Sequence, residues 1–230
     1  SKSSQDLMTN IWVSIAEKYK NEPVIIGYDI VNEPIAHYFN DELDDLNNQL
    51  ILLYNRIVKE VRAVDQQHII FLSGPNWGGN FDVFKELIDD NVVYEFHKYW
   101  FDVNQEAIQQ YLDFRDQRNV PIYIGETGEN SDEWVNDFRV LLDNHEVGWC
   151  FWPYKKMNNL RGIMNFNEPE NYDLITDYAK SDRSSYAKTR ENRPDIIKVQ
   201  KALNTFLENS IYKNNYPNIG YCKALGFKVD

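Results

Sequence analysis

Nowhere does the chain come near the roughly 20 consecutive apolar residues that a membrane-spanning helix needs, although it has 230 residues to draw on. Basic side chains are outnumbered, with 24 Lys and Arg against 36 Asp and Glu. The resulting net charge of −12 disfavours nucleic acid or an anionic membrane surface as a partner, while a neutral polysaccharide is indifferent to it. Cysteine is nearly absent. Cys150 and Cys222 have no metal-ligand spacing, and Cys150 lies inside an apolar run, which argues against a disulfide. The four histidines form no HxH or HxxxH pair, so no metal and no cofactor is expected. No glycine-rich phosphate loop follows the first apolar run, as a nucleotide-binding open sheet requires. The opening residues, SKSSQDLMTN, lack the apolar centre of a secretion signal and read as a point where a longer chain was cut.

Apolar and aromatic residues are plentiful, at 43% and 14% of the chain. That is enough for a substantial core, and one domain over residues 1–230 is the expectation. Helical periodicity at 5–20, 42–66, 81–89, 104–118, 132–144 and 194–211 alternates with apolar runs at 24–33, 68–74, 92–100, 121–126 and 148–154. Near-continuous apolar strands separated by amphipathic helices are the pattern of a parallel α/β fold. A closed (β/α)8 TIM barrel needs eight strands and usually about 250 residues. With five strands and an opening helix, the chain reads as about strands 4 to 8 of such a barrel, with the earlier strands supplied by a complementary N-terminal segment or another chain. The polar stretch 157–193 shows no strong period, and its place after the last apolar run would project it over a site at the barrel rim.

Two of the strands deliver a glutamate near their ends: VIIGYDIVNEP carries Glu33 and PIYIGETGEN carries Glu126. Alternation along a strand puts Asp29, Val31 and Glu33 on one face and Ile122, Ile124 and Glu126 on another. It likewise groups Glu95 with His97 and Tyr99, and Cys150 with Trp152. Both glutamates would then sit at the C-terminal rim, where barrel active sites are built, and paired carboxylates are the equipment of glycoside hydrolysis. Glu95, deeper in its strand, is assigned to an internal hydrogen-bond network without a catalytic role. Trp12, Trp134 and Trp149 read as packing residues, and His37, His68 and His145 as structural or surface residues.

Asn32-Glu33-Pro34, His97-Lys98-Tyr99, Glu126 after IYIG, and Trp152 in GWCFW resemble, in order and approximate spacing, the cellulase-like glycoside hydrolases of family 5, in clan A. The likeness covers residues 5 to about 155. It implies a retaining endo-β-1,4-glucanase-like enzyme, extracellular or periplasmic, with Glu33 as general acid/base and Glu126 as nucleophile. It further implies that Asn32 binds the sugar 2-hydroxyl, that His97 and Tyr99 orient the carboxylates, and that Trp152 floors the sugar before the cleaved bond. Trp77, in GPNWGGN, is a sugar platform or a loop anchor, and Trp100, Lys155 and Lys156 are candidates for outer subsites. The arginine and early-strand histidine that the family also uses have no counterpart here. Two other readings therefore stand beside the first: a mannanase or exo-β-glycosidase on the same scaffold, and an inactive carbohydrate-binding fragment of the barrel.

Overall fold

A computed structural model describes residues 1–229. It resolves into two compact units, one made of Ser1–Thr127 and Asp137–Phe151, the other of Gly128–Asn136 and the residues from Trp152 on.

The first unit is built on a five-stranded parallel sheet in the order β1-β2-β3-β4-β5: Gly27–Asp29, Ile69–Ser73, Val92–His97, Ile122–Gly128 and Gly148–Trp152. The sheet curls into half a barrel with helices flanking it, as expected of the later strands of a TIM barrel. The registers Gly27↔Ile69, Ile70↔Val92 and Tyr94↔Ile122 step the strands along one another.

Helix α1 (Lys2–Tyr19) starts where the Ser1 side chain accepts the Ser4 N–H. Its Trp12 donates the indole N–H to the Ile30 carbonyl at 3.1 Å, fixing the helix against the end of β1. Helix α2 (Leu43–Arg62) has Asp44 and Asp45 in its first turn and Lys59 and Arg62 in its last, charges that suit the helix dipole. Its buried stripe, Leu50, Tyr54, Ile57, Val58 and Val61, recurs at helical spacing. Helices α3 (Gln109–Arg118) and α4 (Asp132–Asn144) follow β3 and β4 in the anticipated places. At the opposite strand ends, His68 joins a buried group in which Asp65 Oδ2 lies 2.6 Å from both the Tyr28 hydroxyl and His68 Nδ1.

The helix expected at 81–89 does not form. Asn80 Oδ1 accepts the Asp82 N–H and Asp89 Oδ1 accepts the Asn91 N–H, each closing a side-chain turn that competes with helix. Phe81 and Phe84 enter an aromatic cluster with Tyr94 and Phe114, and this packing outweighs a weak local period.

The second unit holds a three-stranded sheet, with β6 (Lys155–Met157) parallel to β7 (Met164–Phe166) and β7 antiparallel to β8 (Tyr216–Pro217). Its helices are α5 (Asp173–Lys180), α6 (Tyr186–Glu191), α7 (Ile196–Asn209) and α8 (Ile219–Ala224). The stretch 157–193 is therefore structured. Its strands and helices are too short for their periods to stand out in the sequence. Asp195 caps α7 by accepting the Ile197 and Lys198 N–H groups, and Phe206 stacks on Tyr172. Both cysteines are free. Among the described residues no helix is long and apolar enough to cross a membrane.

Candidate active site

The regular part of β1 ends at Asp29, and Glu33 lies beyond it with φ of 45°. Ile35 is also left-handed, so the NEP segment is a turn, and Glu33 is not on the strand face assigned to it with Asp29 and Val31. The turn is held by the next one: Asn76 donates its N–H to the Ile35 carbonyl at 2.7 Å.

A second correction concerns β4. Phe96 pairs with Ile124 but His97 pairs with Glu126, so Gly125 is an extra residue and the ladder carries a bulge. Ile124 is buried, whereas Tyr123 and Gly125 line the concave face of the sheet. Without the bulge, alternation would have kept Glu126 with Ile122 and Ile124; the extra residue brings it round to His97. Beyond the strand ends, Lys98 donates its N–H to the Glu126 carbonyl and Thr127 Oγ1 donates to the Lys98 carbonyl, keeping the two segments side by side. Tyr99 thus reaches the site from an extension past His97, the last residue of β3.

Four of the anticipated residues are brought together. His97 Nδ1 lies 2.8 Å from Glu33 Oε1 and 3.9 Å from Glu126 Oε2. The Tyr99 hydroxyl donates to Glu126 Oε2 at 3.0 Å. One oxygen of Glu33, one of Glu126 and a His97 ring nitrogen all lie within 4.8 Å of one another. The carboxylates are 23% and 24% exposed and the imidazole 3%, so two reachable acids flank a buried base. The three groups offer ligand atoms close enough to hold a metal ion, and His97 Nδ1 is here paired with Glu33.

Burial works against a charged His97, but the Glu95 and Glu33 carboxylates and the negative charge of Glu126 outweigh it and lift the imidazole to about 9. Behind the ring stand Glu95, 2% exposed, and Asp29, which shares a hydrogen bond with Glu95. Burial and the Glu95 charge push Asp29 up to about 7, against the pull of the His97 cation.

Asn32 is exposed immediately before Glu33. Trp77 is 44% exposed, donates its indole N–H to His37 Nδ1 at 3.1 Å and meets the Tyr38 ring at 6.4 Å between centroids. Its loop lies against the site, since a Cβ on Gly78 would sit 3.2 Å from the His97 backbone nitrogen. Trp152 ends β5, is 52% exposed and belongs to the second unit. In that unit Lys155 donates to the Ser210 carbonyl and Lys156 pairs with Glu129, so both ammonium groups are engaged. Trp149 packs on Phe151 and donates to Asp143, as its packing assignment implied. The contribution of Asp29 and Glu95 was missed as a pair, although each is an acid inside an apolar run, which is the signal that marked Glu126.

Residues 1–158 match the family described as cellulase (glycosyl hydrolase family 5). Endoglucanase C of Acetivibrio thermocellus is 24% identical over 68% of this chain and 61% of its own length. An endoglycoceramidase of Hydra vulgaris is 23% identical over 96% of this chain and 44% of its own length. The chain therefore spans less than two thirds of these curated relatives. Among solved structures, Thermotoga maritima Cel5A in complex with mannotriose superposes with a TM-score of 0.56 at 17% identity, over 66% of this chain and 59% of that one, a likeness of fold. With that family matched over more than half its length, this chain belongs to glycosyl hydrolase family 5, the cellulase family.

Proposed function

We propose that the chain carries the catalytic carboxylates of a retaining glycoside hydrolase, which cleaves β-glycosidic bonds of a β-glucan in the manner of an endo-β-1,4-glucanase. The observation that carries this reading is the approach of Glu33 and Glu126 to within 4.8 Å. Retaining enzymes hold their two carboxyl groups about 5–5.5 Å apart, whereas inverting enzymes leave about 6.5–9.5 Å for a water molecule.

In the first step Glu126 attacks the anomeric carbon while Glu33 protonates the departing oxygen, giving a glycosyl ester on Glu126 and the shortened sugar. In the second, Glu33 takes a proton from water, the water oxygen attacks the anomeric carbon, and Glu126 leaves as a carboxylate. The Tyr99 hydroxyl, donating to Glu126, aims it at the sugar and stabilises its charge. His97 meets Glu33 at 2.8 Å and holds its carboxyl in place, while the proton that Glu33 gives up in the first step comes back from water in the second. Asn32 would meet the 2-hydroxyl, and the part-exposed rings of Trp77 and Trp152 suit the C–H faces of pyranose rings.

In this reading three further strand–helix units, on the same polypeptide or another chain, close the half-barrel, and a polymeric substrate places the enzyme outside the cell. A mannan is the second reading, supported by the mannotriose held by Thermotoga maritima Cel5A. The test is an activated 2-deoxy-2-fluoro-β-glucoside, which stalls the second step. Mass spectrometry should find one sugar on the peptide containing Glu126; a label on another residue, or none, overturns the assignment.

A further inference from the structure

The site has an inner side that the two-step reaction does not use. Glu95 Oε1 is buried and has no hydrogen-bond partner, and it points to His97 Nε2 at 3.7 Å. That distance makes a charge contact just longer than a hydrogen bond. A buried polar atom without a partner is costly, and here it is aimed at the back of the imidazole whose front meets Glu33.

We propose that Glu95 is a positioning residue for the reaction, a buried carboxylate that sets the ring of His97 and, through it, the proton on Glu33. The inference rests on the glycosidase reading of Glu33 and Glu126. An imidazole between two acids has one orientation and one charge state that serve both. With Glu95 behind Nε2, the ring is held as a cation whose Nδ1–H is presented to Glu33. Asp29 completes the device from β1. It shares a hydrogen bond with Glu95, and while it holds the proton between them, the negative charge of the pair lies toward the imidazole. The ionisable groups facing His97 are Asp29 and Glu33 from β1 and its following turn, Glu95 on its own strand, and Glu126 on β4.

The bulge in β4 makes room for this arrangement. A Cβ at Gly125 would lie 2.7 Å from Glu95 Oε2 and 3.1 Å from His97 Nε2. Gly125 therefore has two effects: it rotates Glu126 toward the front of His97, and it leaves space for Glu95 at the back.

The test is an NMR titration of the imidazole C–H signals in the chain and in Glu95→Gln, with the four histidines told apart by a His97→Gln control. No substrate is involved, so the result stands whether or not the glycosidase reading does. His97 should titrate near 9 in the parent and fall back toward 6.5 in Glu95→Gln, with the other three histidines unmoved. Glu95→Asp, which keeps the charge, should recover part of the shift, and a residue that only fills space would show no such recovery. Gly125→Ala leaves the carboxylate in the chain but wedges it away from the ring, and should lower the His97 titration in the same direction. It decides the matter if Glu95→Gln does not fold. If His97 titrates unchanged in these variants, the proposal is overturned. If His97 moves while the Glu126 labelling fails, Glu95 sets the ring and only the glycosidase reading falls.

Discussion

The Tyr99 hydroxyl meets Glu126 Oε2 at 3.0 Å, from a residue that lies beyond the end of its strand. A hydrogen bond to a charged acceptor contributes roughly 1.5–3 kcal/mol. Tyr99→Phe should therefore lower kcat/KM on an aryl β-glucoside by about ten- to a hundredfold while the circular dichroism spectrum is kept. A loss smaller than about threefold would say that the contact does not act in the reaction.

Glu33 and Glu126 should separate by leaving group. Glu33→Ala should slow substrates with poor leaving groups far more than activated aryl glycosides, because only the former need the proton. Rates that fall equally on both would contradict the acid role. Glu126→Gln should abolish turnover and retain binding, measured by calorimetry with an oligosaccharide.

His97 gives the fold a pH dependence of known sign. Its folded-state value of about 9 lies above the 6.5 of the free side chain, so the folded state binds the proton more tightly. The stabilisation is present in full below about 6.5 and is lost as pH rises through about 9. The difference in Tm between the parent and His97→Gln should thus be largest near pH 6 and shrink toward pH 10. A difference that grows over that window would reverse the assignment.

Phe84, buried with its ring 4.6 Å from that of Tyr94, should be worth what a core aromatic is worth. Phe84→Ala should cost about 3–5 kcal/mol of stability in urea. Trp152→Ala, by contrast, should weaken sugar binding without a large change in stability, because its ring is half exposed.

The contrast between Phe84 and Glu126 shows what was legible in the sequence. The five parallel strands were, because each is an apolar run bounded by turns, and α1, α2, α4 and α7 were, because their apolar residues keep a helical period. The identities of Glu33, His97, Tyr99 and Glu126 were also readable, since polar groups at the ends of buried strands need a reason to be there. The way they meet was not. Glu33 turns in through a left-handed backbone, and Glu126 through one inserted residue at Gly125. Neither a turn of that kind nor a bulge leaves a period to count. Residues 81–89 had a helical pattern that tertiary packing of Phe81 and Phe84 overrode, and the elements between 157 and 193 are too short to announce themselves.

The most direct test of the account is the configuration of the first product. Proton NMR during the early hydrolysis of a β-linked oligosaccharide distinguishes the two anomers before they equilibrate. Carboxylates as close as Glu33 and Glu126 predict that the β-anomer appears first and the α-anomer grows in later by mutarotation. If the α-anomer appeared first, water would have attacked the anomeric carbon directly, and the double-displacement account would be wrong.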